Sequence, residues 1–91
     1  MFEWSEEKNL LLEKNRGISF EEIVEAISQG DVVADEPHFD SKNYPNHGIF
    51  FVEANNYIYC VPYKEENSKI FLKTIYPSIK ATKKFLKDKV E

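Results

Sequence analysis

Two histidines, His38 and His47, bracket a polar stretch that also holds Tyr44. Imidazoles titrate near neutrality and so can carry protons at physiological pH. Further along the chain, Lys73 and Lys80 supply fixed positive charge, and Tyr63 adds a second phenol. A proton carrier beside cations is what metal-independent phosphodiester cleavage needs: one group to exchange protons, others facing the phosphate where charge accumulates. His38, His47, Lys73 and Lys80 are therefore the candidate catalytic residues, with either histidine able to serve. Tyr44, Tyr63, Lys83, Lys84 and Lys87 are the candidate nucleic-acid contacts, the phenols by stacking on unpaired bases and the lysines by facing phosphates. Lys73 lies between Phe71 and Ile75, and strand alternation would put all three on one face. A lysine so placed is either an edge guard or a site group.

Other chemistries fit less well. Glu36, His38, Asp40 and His47 share one loop, but their spacing matches no familiar zinc motif, so no metal is expected. There is no nucleophile elbow, and Cys60 sits in an apolar run where a small core residue belongs. Three scattered glycines cannot build a phosphate loop. No cofactor is implied.

Local signals predict the elements that must hold these groups. Ser5 reads as the N-cap of a first helix from about Glu6 to Arg16, with Glu6 and Glu7 in the turn where the helix dipole favours acids. Gly17 ends it. Ser19 and Glu22 form an S-x-x-E capping box flanked by Ile18 and Ile23 as a hydrophobic staple, and open a second helix over about 20–29. Val32 to Ala34 reads as a short strand, and Asp35 to His47 as the longest loop. Ile49 to Ala54 and Tyr57 to Tyr63 read as a hairpin turning at Asn55-Asn56. Pro62 should end or bulge the second of these strands. Ile70 to Tyr76 is a third run, closed by Pro77, and Ser78 caps a final helix from about Ile79 to Val90. On that helix Leu86 and Val90 fall within about 20° of Ile79 and Thr82 about 60° away, which predicts the buried stripe. Lys80, Lys83, Lys84 and Lys87 form a cationic ridge beside it.

The 91-residue length allows one domain, 1–91, with little margin of core. At 42% hydrophobic and 14% aromatic residues the chain should fold rather than stay disordered. Its net charge of −4 argues against indiscriminate nucleic-acid binding, yet the charge is uneven. Residues 1–66 carry 5 basic and 14 acidic groups, a net of −9; residues 67–91 carry 7 and 2, a net of +5. The basic end suits a polyanion or an acidic partner. A single cysteine, no basic leader and no long apolar run predict a soluble cytoplasmic protein without membrane contact.

The opening run Phe2-Glu3-Trp4, Lys8, and then Gly17-Ile18-Ser19-Phe20-Glu21-Glu22, resembles the start of BrnT-type toxins of bacterial type II toxin-antitoxin systems. Ile75 to Thr82 resembles the segment before that family's last helix. Ser5, Leu12 and Asn15-Arg16 depart from the pattern, and Ile79 stands where an arginine is expected. The resemblance implies a RelE-like α+β fold, with two N-terminal helices and a C-terminal helix packed on an antiparallel sheet of about four strands. It also implies an endoribonuclease that inhibits translation. The implied partners are RNA and a cognate antitoxin of ribbon-helix-helix type, with operator DNA reached only through the antitoxin. The alternative is a non-catalytic or attenuated toxin-fold module acting by protein binding, since apolar Ile79 cannot replace an arginine's charge.

Overall fold

The computed structural model describes residues 1–90, with side chains through Leu86. In chain order the elements are β1 (Phe2–Glu3), α1 (Glu6–Arg16), α2 (Phe20–Ser28), β2 (Val32–Pro37), β3 (His47–Ala54), β4 (Tyr57–Glu66), β5 (Lys69–Leu72), β6 (Tyr76–Pro77) and α3 (Ile79–Val90). The fold is α+β: two N-terminal helices and one C-terminal helix pack on a mixed six-stranded sheet ordered β1-β5-β4-β3-β2, with β6 also paired to β4. The expected antiparallel sheet of about four strands is thus extended. β1 adds parallel to β5 through Phe2↔Ile70 and Glu3↔Phe71, and β6 adds through Cys60↔Tyr76. Each of these strands is two residues long, too short to show alternation in sequence.

The helix boundaries follow their caps. Ser5 accepts from the Lys8 N–H, and Gly17, at φ 67°, closes α1 in the left-handed conformation glycine tolerates. The Ser19–Glu22 capping box is complete, and Ile18 and Ile23 are both fully buried. Asn9 is a buried polar residue with no marker in the sequence pattern. Its Oδ1 accepts from the Phe20 N–H at 2.8 Å and its Nδ2 donates to Glu21 Oε1 at 2.6 Å, so α1 holds the start of α2. Asn9→Leu strands the Phe20 N–H and is expected to cost about 1–3 kcal/mol. A urea midpoint equal to that of the parent would contradict this role.

Asn55 and Asn56, at φ 54° and 61°, make the predicted tight turn between β3 and β4. Asn67 and Ser68 repeat it between β4 and β5 with φ 53° and 66°. Pro62 does not end β4, which runs on to Glu66. It sits where β4 changes partner: Tyr63 pairs with Leu72 of β5, while Cys60 pairs with Tyr76 of β6. The Pro62 carbonyl still accepts from Lys73 N–H at 2.8 Å, and the missing donor falls at the gap between the two strands.

One face of the sheet, carrying Phe50, Val52, Val61 and Leu72, packs on α1 and α2 around Leu12, Phe20 and Ile23. α3 covers part of the other face, where Ile58, Ala81 and Leu86 form a second core with Val33, Phe51 and Phe85 against it. The predicted stripe on α3 holds at Thr82 and Leu86, which are buried, and is corrected at Ile79, which is 66% exposed while Ala81 is buried instead. Two anchors set this rotation: Ser78 Oγ accepts from the Ala81 N–H, and Thr82 Oγ1 accepts from the Ile58 N–H at 2.9 Å. Val90 and Lys87 lie outside the described side chains.

Candidate active site

Between β2 and β3 the chain makes a loop over residues 38–46 that is tied to itself at every turn. His38 N–H donates to the His47 carbonyl, extending the β2–β3 ladder past Pro37. Asp40 O accepts from the N–H groups of Asn43 and Tyr44, and Asp40 Oδ2 accepts from Asn43 Nδ2 at 2.9 Å. Tyr44 O then accepts from the His47 N–H across a turn with Pro45 at its second position, where proline's fixed φ fits. Asn46 O accepts from the Glu65 N–H, which fastens the loop to β4. The expected loop from Asp35 to His47 is thus shorter at both ends, because Asp35 to Pro37 belong to β2 and His47 opens β3.

These bonds gather the aromatic groups. The His38 ring lies 4.6 Å from Tyr44 and 6.0 Å from His47, and Tyr44 meets His47 edge-on at 5.3 Å. Lys73 reaches the same point from 26 residues away, its Nζ against Nδ1 of His47. Of the candidate residues, then, His38, Tyr44, His47 and Lys73 come together. Lys64 joins them without having been singled out by spacing, since it pairs with His47 across β3 and β4. Lys64 also forms an ion pair with Glu66 at 3.2 Å. Lys73 does not share a face with both its apolar neighbours: Ile75 is fully buried in the core and Phe71 is exposed, because the chain leaves β5 after Leu72.

The chemistry of the pair follows from its donors. An ammonium can only donate, so Nδ1 of His47 accepts from Lys73 and its proton sits on Nε2. His38 Nδ1 likewise accepts from the Asp40 N–H at 2.9 Å, which puts the His38 proton on Nε2. Desolvation, and then the neighbouring Lys73, Lys64 and His38, hold His47 below its ordinary value of 6.5. Desolvation and Lys64 lower Lys73 from 10.5. At neutral pH the site therefore presents a neutral imidazole base, imidazole N–H donors and an ammonium with a softened hold on its proton.

The remaining candidates lie elsewhere. Side-chain alternation places His47, Ile49 and Phe51 on the face that α3 partly covers. Lys80 and Lys84 line a groove of about 260 Å³ on that face, with Glu36, Phe51, Ser78 and Phe85. Phe51 lies four positions along β3 from His47, so the strand positions at the cluster and at the α3 groove are roughly 14 Å apart on one sheet face. Lys83 is exposed on α3. Tyr63 is on the opposite face: it stacks on Phe50 at 4.1 Å, donates to Asp35 Oδ1 at 2.7 Å, and lies over Gly48, where an added Cβ would come within 2.6 Å of its hydroxyl. Burial, then the bond to Asp35, pushes the Tyr63 phenol up to about 12. It is a structural clamp on β2 rather than part of the cluster. Burial also raises the Cys60 thiol, partly offset by hydrogen bonds from Tyr76 and Ser78, so Cys60 is an uncharged core group. Among the described residues, no three His, Cys, Asp or Glu side chains converge as metal ligands.

Residues 13–77 match the family model of a domain of unknown function, DUF4258. The chain belongs to the DUF4258 family. The matched span of this DUF4258 domain runs from the end of α1 through β6 and includes His38, Tyr44, His47, Lys64 and Lys73; it stops before Lys80, Lys83 and Lys84. Comparison of the DUF4258 domain with curated proteins and with solved structures returns no match. Among the described residues no helix is long and apolar enough to cross a membrane.

Proposed function

We propose that this DUF4258 domain is a metal-independent endoribonuclease, the toxin half of a BrnT-like toxin-antitoxin pair acting in the cytoplasm. The observation that carries this reading is the contact of Lys73 with Nδ1 of His47, beside His38 and on the sheet face shared with α3. An arriving phosphate draws the Lys73 ammonium away and frees the Nδ1 lone pair. His47 then takes the proton of a ribose 2′-hydroxyl, whose oxygen attacks the adjacent phosphorus. The P–O5′ bond breaks, Lys73 protonates the leaving 5′ oxygen, and a 2′,3′-cyclic phosphate and a 5′-hydroxyl remain. The Nε2–H of His38 and the α3 lysines stabilise the anionic phosphates. The capping-box and Phe2–Trp4 segments support the family reading, and with it an antitoxin that silences the activity.

A second reading, an attenuated toxin, is favoured by Ile79. The side chain is exposed in the first turn of α3, so an arginine would fit there and could reach an anion. Expression alone is expected to arrest growth, with relief by the adjacent open reading frame. Purified protein should cut total RNA, leaving cyclic-phosphate ends, with chelator present or absent. Cutting only after Ile79→Arg would identify an attenuated toxin. Intact RNA with both proteins would eliminate the nuclease reading and leave a protein-binding module.

A further inference from the structure

Phe39 is 97% exposed, the most exposed of the large apolar side chains among the described residues, yet it is not isolated. Its ring stacks on His38 with centroids 4.5 Å apart and planes at 25°. Tyr44 packs against the same imidazole at 4.6 Å and 33°. The hydrogen bonds of Asp40 to its own loop fix the backbone on either side of this stack. Although its ring lies near-parallel to His38, Phe39 keeps nearly all of its surface open to solvent, beside a cluster that carries imidazole N–H donors and Lys73.

A single exposed apolar residue is common on protein surfaces, so what distinguishes Phe39 is its place against His38 and beside Lys73. An open aromatic face on a hydrogen-bonded loop next to cations has a natural occupant: an unpaired nucleobase, which stacks while its phosphate meets the positive groups. A paired base has both faces covered by its neighbours and cannot be seated this way. We infer that Phe39 is a base-stacking residue that seats one unpaired nucleobase of single-stranded RNA beside the phosphate at His47 and Lys73. The inference rests on the nuclease reading and deepens it, by naming single-stranded RNA as the substrate class and Phe39 as the residue that sets which phosphate is presented.

Two observations test it. Phe39→Ala should weaken binding of a short single-stranded RNA, 2′-O-methylated so that it is not cut, by at least about tenfold, and Phe39→Tyr should restore it. Phe39→Trp places a reporter at the site, whose emission over the Trp4 background should be quenched by the single strand and not by a blunt duplex of the same sequence. Equal affinity of Phe39→Ala and parent protein for the single strand overturns the stacking role while leaving the nuclease reading intact. Equal affinity for RNA together with weakened antitoxin binding by Phe39→Ala would instead make Phe39 a protein contact. If the parent neither binds the oligonucleotide nor cuts unmodified RNA, both readings fall together.

Discussion

His47→Ala is expected to slow RNA cleavage by about 10²–10⁴-fold, the contribution of a positioned proton-transfer group. Lys73→Ala should cost a similar factor of about 10²–10⁴, because it removes the proton donor to the leaving 5′ oxygen. The pH profile distinguishes these roles. His47 must be neutral to accept a proton, and desolvation and its cationic neighbours hold it below 6.5, so the acid limb should fall away only below that value. Lys73 must be charged, and its lowering from 10.5 predicts an alkaline limb beneath that pH. In Lys73→Ala one of the charges that depress His47 is gone, so the acid limb should move to higher pH. A Lys73→Ala enzyme with an unmoved acid limb would show that the two groups do not share a site in solution.

The second large effect is on stability. Phe20 is fully buried between α1, α2 and the sheet, and Trp4 stacks on it at 5.6 Å with planes 24° apart. Phe20→Ala removes a ring that cannot be replaced by collapse around so many fixed neighbours, and is expected to cost about 3–5 kcal/mol. Domains of this kind have about 5–15 kcal/mol in total, so the variant should unfold at a much lower urea concentration. Trp4 emission in the folded variant should also shift to the red, because the indole loses its stacking partner. A midpoint within experimental error of the parent would mean that the core closes over the gap.

What was legible in the sequence was what short-range chemistry determines. The Ser5 and Ser19 caps, Gly17 and the Asn55-Asn56 turn depend on neighbours within a few residues, and each stands where its pattern put it. Ile79 was misplaced because the rotation of α3 is set by Thr82 bonding to Ile58, 24 residues away. Tyr63 was grouped with the site residues although it is one strand position from Lys64, and one position in a strand is the difference between the two faces. The candidate site was legible in part. His38, Tyr44 and His47 share a loop, and Tyr44-Pro45-Asn46-His47 carries a turn signature that closes it. Lys64 and Phe39 were not legible: the first joins through strand register, the second through a ring stack that no periodicity encodes.

The parallel pairing of Phe2 with Ile70 has a bearing on the order in which this chain assembles. It closes about three quarters of the chain into a loop, and the entropy of that closure is largest while the intervening segments are still free. The two tight turns between β3, β4 and β5 can form from nearby residues and shorten the loop before β1 arrives. Contact order therefore predicts that the N-terminal strand docks late on a preassembled meander, bringing Trp4 down on Phe20 as it does, so that the first residues of the chain are expected to complete this core.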